Sequence, residues 1–188
     1  PDESHRSEVA RRICSVLQQH GLVAEWSGDP TKRIQIPKID WQRRHRHMRF
    51  HTATHLLCAL IPHPVDGCSI TAAYARLDFH MTEPLDKDAL NAGLARLVAE
   101  AHPVSHRWIT EDELDANPGL VRSMSVQPPR GQGRVRVMAI EGVDLQPCGG
   151  THVANTAEIG PITVTKIEKK SAKPRRVVLG FAERDSQG

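Results

Sequence analysis

Two pairs of potential metal ligands constrain the fold of this 188-residue chain more than any other feature of its sequence. His51 and His55 stand in the run HTATH, and Cys148 and His152 stand in the run PCGGTH. Residues four apart on a helix share a face, so both imidazoles of the first pair can reach one ion. If the second pair binds the same ion, two segments that are distant in the sequence must meet. A thiolate with imidazoles suits zinc or iron better than magnesium, and four such ligands form a plausible tetrahedral set.

The histidine pair by itself is weak evidence for a metal. The chain has 11 histidines and two further pairs with the same spacing, His47/His51 and His102/His106. Any single pair is more simply explained by surface or core histidines. The CGGTH run strengthens the metal interpretation, because its two glycines let the backbone turn sharply and approach a ligand closely.

The other cysteines leave one alternative ligand open. Cys58 follows His55 by three residues and could replace one member of the set, although a buried structural thiol is the favoured interpretation. Cys14 and Cys68 have no neighbours at ligand spacing and are interpreted as structural. Four scattered cysteines are too few for a disulfide scaffold, so we expect free thiols in a reducing cytoplasm.

The composition predicts a globular domain of the α+β class. Hydrophobic residues make up 39% and charged residues 25%, and the sequence contains neither a membrane-length apolar run nor a recognisable signal peptide. Helices and strands alternate without a regular βαβ rhythm, which favours a mostly antiparallel sheet packed with helices. We expect a helix-and-loop extension over 1–38 and a main domain over 39–188.

Periodicity, caps and turn residues place the individual elements. The predicted helices cover 7–20, 47–61 and 86–101, with a brief one after a capping box formed by Thr110 and Glu113. The predicted strands cover 69–80, 104–109, 134–140, 162–167 and 177–181. The predicted connections include loops at 62–68, 127–133 and 168–176, and a tight turn at 147–150.

Basic residues concentrate in two segments, although the net charge is only +3. Residues 42–50 hold four arginines and no acid, and residues from 161 onward hold seven bases against three acids. Such segments can contact nucleic-acid phosphates, and solvated surface is the simpler alternative. The candidate phosphate contacts are Arg43, Arg44, Arg46, Arg49, Lys169, Lys170, Lys173, Arg175 and Arg176.

Three segments resemble a known family. Residues 41–57, 75–79 and 147–167 are similar to the editing domain of alanyl-tRNA synthetase, and still more to its free-standing relatives, the AlaX-type trans-editing proteins. The pairing of HTATHLL with PCGGTHV is far more specific than a lone HxxxH. The resemblance implies an editing-domain fold, tRNA as partner, and hydrolysis of seryl and possibly glycyl esters of alanine tRNA at its acceptor end.

The resemblance also implies roles for individual residues. His51, His55, Cys148 and His152 match the family's zinc ligands, and Thr54 matches the threonine that senses the serine hydroxyl. A site built around such a hydrogen bond rejects alanine, which cannot return it. An ordinary helix threonine that bonds a backbone carbonyl is the alternative for Thr54.

Two further roles are hypotheses about the reaction. Backbone N–H groups near Gly149 and Gly150 are expected to stabilise a developing oxyanion. Asp78 is a candidate partner for a ligand, with a strand salt bridge as the alternative. HTATH lacks the glutamate of metallopeptidase motifs, which disfavours a peptidase.

Departures from the family pattern keep other interpretations open. The loop 63–69 lacks a glutamine that lines the pocket in some relatives, and residues 1–38 do not form the barrel of longer relatives, so the chain resembles a short form or a fragment. Four protein ligands also normally make a closed, structural zinc site. The alternatives are a non-catalytic, zinc-stabilised RNA-binding module and a metallohydrolase acting on a small ester.

Overall fold

Two antiparallel sheets packed with helices form the fold in the computed structural model, which describes residues 3–19, 23–35, 41–124, 127, 128, 130–170 and 173–182. The predicted α+β class is thereby confirmed. The chain divides into two compact units, Pro1–Gln42 and Arg43–Gly188. The predicted boundary between residues 38 and 39 lies outside the described residues and stays a prediction.

Over residues 3–19 and 23–35, the first unit forms a helix and a short bridged segment. Helix α1 covers Glu3–Gln19, close to the predicted 7–20, whose last residue lies outside the described part. The apolar residues that predicted this helix are Val9, Ile13, Val16 and Leu17. The first three are exposed in the structure, and Leu17 is half-buried.

The second unit contains the remaining helices and all the strands. Its helices, of which the first begins at the end of the first unit, are α2 (Trp41–Leu60), α3 (Lys87–Ala99) and α4 (Glu111–Asp115). Its strands are β1 (Val65–Ile70), β2 (Ala75–His80), β3 (Val104–Thr110), β4 (Arg134–Ile140), β5 (Asp144–Pro147), β6 (Ile162–Lys169) and β7 (Pro174–Phe181). Short 3-10 helices cover Pro118–Leu120 and Thr156–Ile159.

Antiparallel pairs build both sheets. The larger sheet has the strand order β1-β2-β7-β6, and the smaller one has the order β3-β4-β5. The larger core packs the apolar side of α2 and part of α3 against the first sheet, with Phe50, Phe79 and Leu94 fully buried. A smaller core joins α4 to β3 and β4 through Leu114, Val135 and neighbouring residues.

Local sequence signals explain most element ends. Asp86 caps α3 by accepting hydrogen bonds from the N–H groups of Asp88 and Ala89, and Thr110 and Glu113 form the predicted capping box of α4. These caps satisfy N–H groups that the first turn of a helix leaves without partners.

Four predicted boundaries were wrong. Helix α2 begins at Trp41 instead of residue 47, because its first turns are polar and exposed and carry no apolar pattern. The predicted strand 69–80 is a hairpin of β1 and β2, and β1 occupies part of the predicted loop 62–68. Strand β5 was missed, and β7 begins at Pro174, inside the predicted basic loop.

Asp78 belongs to the sheet and not to the ligands. Its carboxylate accepts hydrogen bonds from Arg176, at 2.6 and 2.7 Å, and from Arg76 at 2.9 Å. The salt-bridge alternative for this aspartate is therefore the correct one. The hydrogen bonds from Arg176 lower the pKa of the Asp78 carboxyl, against the opposing effect of burial.

We expect Asp78→Asn to lower the free energy of unfolding by about 1.5–3 kcal/mol at pH 7, because the charge-assisted hydrogen bonds from Arg176 and Arg76 are lost or become bonds to a neutral amide. The folded pKa is depressed, so this stabilisation is complete above the unfolded pKa of about 3.9 and is lost as the pH falls through the folded pKa. Urea unfolding of the wild-type protein and of Asp78→Asn, at neutral and at acidic pH, measures the difference in the free energy of unfolding. An undiminished difference at acidic pH would contradict the assignment.

Candidate metal centre

Helix α2 and the loop after β5 bring the two predicted ligand pairs together. His51, His55, Cys148 and His152 each offer one ligand atom, and these atoms all lie within 4.8 Å of one another. The Cys148 Sγ is 3.4 Å from His51 Nε2 and 3.2 Å from His152 Nε2. In the described residues, Cys58, His47, His102 and His106 do not belong to this group.

A buried carboxylate orients His55. The Nδ1 atom of His55 lies 2.9 Å from Asp144 Oδ2, and both side chains are almost fully buried. Gln146 Nε2 donates to the same oxygen at 2.7 Å. The Nδ1–H of His55 therefore donates to Asp144, which leaves Nε2 free to face the other ligands.

A threonine orients His152 in the same way. The Thr52 hydroxyl donates to the carbonyl of Met48 at 3.0 Å, and its oxygen accepts the Val153 N–H at 3.3 Å. The His152 Nδ1 lies 3.2 Å from the same oxygen. With the hydroxyl proton already used, His152 donates its Nδ1–H to Thr52 and turns Nε2 towards Cys148.

Neither orienting residue was found from the sequence. Asp144 lies four residues before Cys148. The sequence feature that could have indicated its role is a carboxylate between the apolar residues Val143 and Leu145, just before PCGGTH. Thr52 follows His51 directly, and nothing in the sequence distinguishes it from Thr54. Contacts to ligands more than 85 residues away define both roles.

The protonation states of Cys148 and His152 suit a metal ion. Burial acts to raise the pKa of the Cys148 thiol, but hydrogen bonds from His152, His51 and His55 outweigh it and lower the pKa to about 3. Burial lowers the pKa of His152 to about 4. For His55, burial acts to lower the pKa, but the hydrogen bonds and charges of Asp144 and Cys148 together outweigh it and raise the pKa. A thiolate surrounded by imidazoles is the donor set that zinc prefers.

The pKa of the Cys58 thiol is shifted in the opposite direction from that of Cys148. Burial, reinforced by the charge of Asp144, raises the pKa of its thiol to about 12. Cys58 is therefore a neutral buried thiol at physiological pH, as the structural interpretation predicts. Among the described cysteines, Cys148 alone lies in the ligand group.

Close packing explains one glycine of the CGG run. A Cβ on Gly150 would lie 2.1 Å from His51 Cε1, far inside van der Waals contact. A Cβ on Gly149 would meet nothing within 4 Å. Arg136 of β4 holds this loop by donating to the carbonyls of Cys148 and Gly150, at 2.7 and 2.9 Å.

The predicted catalytic residues adjoin the ligands. Thr54 is buried, with 4% of its surface exposed, and its hydroxyl donates to the carbonyl of His51 at 2.7 Å. The Gly150 N–H points at the Cys148 sulfur at 3.4 Å, and Gly149 borders a cavity beside Cys148. Their roles in the reaction stay predictions.

That cavity has a volume of about 370 Å³. Strands β3 and β4 and the segment 146–149 enclose it, together with parts of the connection between β3 and β4. Its lining includes Trp108, Gln132, Arg134, Arg136, Cys148 and Gly149.

Half-buried arginines among the predicted phosphate contacts also serve the fold. Arg49 donates to the carbonyl of Ile159 and lies 3.9 Å from the centre of the Phe181 ring. Arg175 donates to the carbonyl of Thr82, and Arg176 is bonded to Asp78.

The more exposed cations lie at two places in the second unit. Arg43, Arg44 and Arg46 occupy the start of α2, where Arg46 donates to the carbonyl of Ala72. Lys169 is the last residue of β6, and Lys170 and Lys173 lie between β6 and β7. The Nζ of Lys170 is 3.4 Å from an oxygen of Glu168. Contact with nucleic acid stays a prediction for all nine.

Comparison with known proteins relates this arrangement to tRNA synthetases. Residues 135–178, which include Cys148 and His152, match the family described as the threonyl and alanyl tRNA synthetase second additional domain. Residues 1–45 match a domain of unknown function, DUF6891. No helix in the described residues is long and apolar enough to cross a membrane.

Curated relatives carry the likeness across most of the chain. The alanyl-tRNA editing protein AlaX-M of Methanosarcina barkeri is 34% identical over 94% of this chain and 72% of its own length. The protein of the same name from Methanosarcina acetivorans is 33% identical over 80% of this chain and 62% of its own length. The alanine–tRNA ligase of Pyrococcus abyssi is 33% identical over 78% of this chain but only 17% of its own length. The chain thus spans between 62% and 72% of the two editing proteins.

Proposed function

This chain belongs to the AlaX-M family of alanyl-tRNA editing proteins, and from that premise we propose that it hydrolyses mischarged alanine tRNA. The substrates are alanine tRNA that carries serine and alanine tRNA that carries glycine, which alanyl-tRNA synthetase releases in error and which this protein corrects in trans in the cytoplasm. The observation that carries the proposal is the convergence of His51, His55, Cys148 and His152 within 4.8 Å. We assign this editing domain to residues 39–188 and treat 1–38 as an extension.

The donor set supports zinc as the ion. His51, His55, Cys148 and His152 would hold it, with Asp144 and Thr52 fixing the rings of His55 and His152. When bound, zinc polarises an ester carbonyl or a water molecule. The protein contributes the shape of the site and the hydrogen bonds around it.

Backbone N–H groups beside Cys148 would stabilise the developing oxyanion. The Gly150 N–H already donates to the Cys148 sulfur at 3.4 Å. The oxyanion role therefore falls first on Gly149, which borders the open cavity. Gly150 contributes mainly by leaving room for His51.

The acceptor stem would be held by phosphate contacts, which position a nucleic acid without reading its sequence. Exposure favours Arg43, Arg44, Lys169 and Lys173 for this work. Arg49 and Arg176 are engaged with Phe181 and Asp78 and would contribute less. Binding should weaken steeply with salt if several contacts form.

The deciding experiment is a deacylation assay with seryl-, glycyl- and alanyl-tRNA side by side, with and without a chelator. We expect release of serine well above the spontaneous rate, slower release of glycine, little release of alanine, and loss of activity with the chelator. Binding of tRNA without any deacylation would indicate the RNA-binding module instead. Equal turnover of a free seryl ester would indicate a small-ester hydrolase.

Two threonines of α2 provide a matched pair for specificity. We expect Thr54→Val to reduce the preference for seryl- over alanyl-tRNA by about tenfold or more, because the bond to the serine hydroxyl is lost. Thr52→Val should instead weaken zinc binding by about ten- to a hundredfold, because His152 loses its orienting partner. Competition with a zinc chelator and deacylation rates separate these outcomes. Equal loss of thermal stability and activity in Thr54→Val, with preference unchanged, would make Thr54 a structural residue.

A further inference from the structure

The cavity beside Cys148 contains an exposed tryptophan that the ligand site does not use. Trp108 of β3 is 59% exposed and lines the cavity together with Gln132, Arg134, Cys148 and Gly149. Exposed tryptophans are uncommon because their large apolar surface favours burial. We propose that Trp108 is a stacking platform for the terminal adenosine of the tRNA whose ester the site hydrolyses, an inference that rests on the proposed function.

Strand pairing fixes the platform relative to the ligands. Trp108 stands opposite Arg136 in the register of β3 and β4, and Arg136 donates to the carbonyls of Cys148 and Gly150. Side chains directly opposite in an antiparallel pair lie about 5 Å apart at Cβ. Arg136 therefore places the indole near the CGG loop, because it stands opposite Trp108 in the strand pair and also donates to the two carbonyls of that loop.

The size and position of the cavity favour a nucleoside over the aminoacyl group. A seryl side chain is small and has its proposed sensor in Thr54 on α2. At about 370 Å³, the cavity is in the range of pockets that bury small organic ligands. In an aminoacyl ester, the ester oxygen joins the carbonyl to the ribose of the nucleoside. If the carbonyl lies at the four-ligand group, the nucleoside must lie beside that group and not in it. A cavity that extends from Cys148 and Gly149 to Trp108 can accept that nucleoside.

The chemistry of the lining matches a nucleotide. A flat indole stacks on any base, and each such contact contributes about 1–3 kcal/mol to binding. Arg134 is exposed on the same strand as Arg136 and supplies a positive charge for the adjoining phosphate. Among the other aromatic residues of the described second unit, Phe50 and Phe79 are fully buried, and Tyr74 and Phe181 lie outside this cavity.

The first test uses adenosine 5′-monophosphate as a mimic of the terminal nucleotide. In a protein carrying Trp26→Phe and Trp41→Phe, Trp108 is the remaining tryptophan, and we expect AMP to quench its fluorescence saturably. A protein that keeps Trp26 and Trp41 and carries Trp108→Phe should keep its tryptophan fluorescence and show no quench by AMP. If AMP leaves the fluorescence of the folded protein unchanged at millimolar concentration, the platform is overturned.

The second test is the kinetics of seryl-tRNA deacylation. We expect Trp108→Ala to raise KM about tenfold or more, with kcat within about twofold and zinc content unchanged, and Trp108→Phe to restore most of the loss. Tyr74→Ala removes an exposed aromatic ring elsewhere and should leave KM unchanged. An unchanged KM in folded Trp108→Ala would overturn the platform while leaving the proposed function intact. A saturable AMP quench in a protein without deacylase activity would contradict the proposed function and leave the platform standing.

Discussion

Replacing Cys148 with alanine is expected to remove zinc and deacylation together. The substitution deletes the thiolate and leaves three imidazoles that no longer surround a negative charge. Loss of an orienting partner alone typically costs about ten- to a hundredfold in metal affinity, so loss of a ligand should cost at least about a hundredfold. Metal analysis after dialysis and the seryl-tRNA assay measure the two effects on the same preparation.

The other cysteines provide the controls for this variant. Cys68→Ala removes an exposed thiol outside the ligand group and should keep both zinc and activity. Cys58→Ala removes a buried thiol and should lower thermal stability while keeping stoichiometric zinc. If Cys148→Ala retained one tightly bound zinc per chain and Cys58→Ala did not, the fourth ligand would be Cys58.

The second large effect is expected from a single added methyl group. In Gly150→Ala, the new Cβ would lie 2.1 Å from the His51 ring, a separation that real structures do not show. Either His51 or the loop must move, and either shift separates a ligand from the other three. We expect a loss of zinc affinity and activity of about a hundredfold, since misplacement of about 1 Å at a reacting centre can have that effect.

Gly149→Ala is the matched variant for the packing argument. It adds the same methyl group one residue earlier, where nothing lies within 4 Å. Zinc content and melting temperature should stay at the wild-type level. Its activity reports separately on the proposed oxyanion role. If both variants lost zinc equally, the glycines would be needed for the conformational freedom of the backbone and not for the close contact with His51.

The sequence predicted the elements whose signals are local. The cap of Asp86 and the capping box of Thr110 and Glu113 involve residues within three positions, and both helices formed where expected. The paired strands β1 and β5 contain glycine, proline and aspartate, which read as loop. Their pairing with β2 and β4 decides their structure, and that pairing is not visible in a single sequence.

The candidate site shows the same difference between features with local sequence signals and features that depend on tertiary contacts. The four residues of the candidate metal group were predicted because HxxxH and CGGTH place each pair at a spacing that suits one ion. Asp144, Thr52 and Arg136 were missed because their roles depend on the meeting of α2, β4 and β5, and not on any spacing in the chain. The sequence placed Trp108 in its strand, but the cavity on which its proposed stacking role depends is formed only by the fold.

The separation of the ligands along the chain has a consequence for synthesis. His51 precedes Cys148 by 97 residues. At about 5–20 residues per second, a ribosome needs about 5–20 seconds to pass from one to the other. During that interval the nascent helix carries two imidazoles without the thiolate. The complete set exists only once Cys148 and His152 have been translated, so we expect the proposed zinc to be bound no earlier than that point in synthesis.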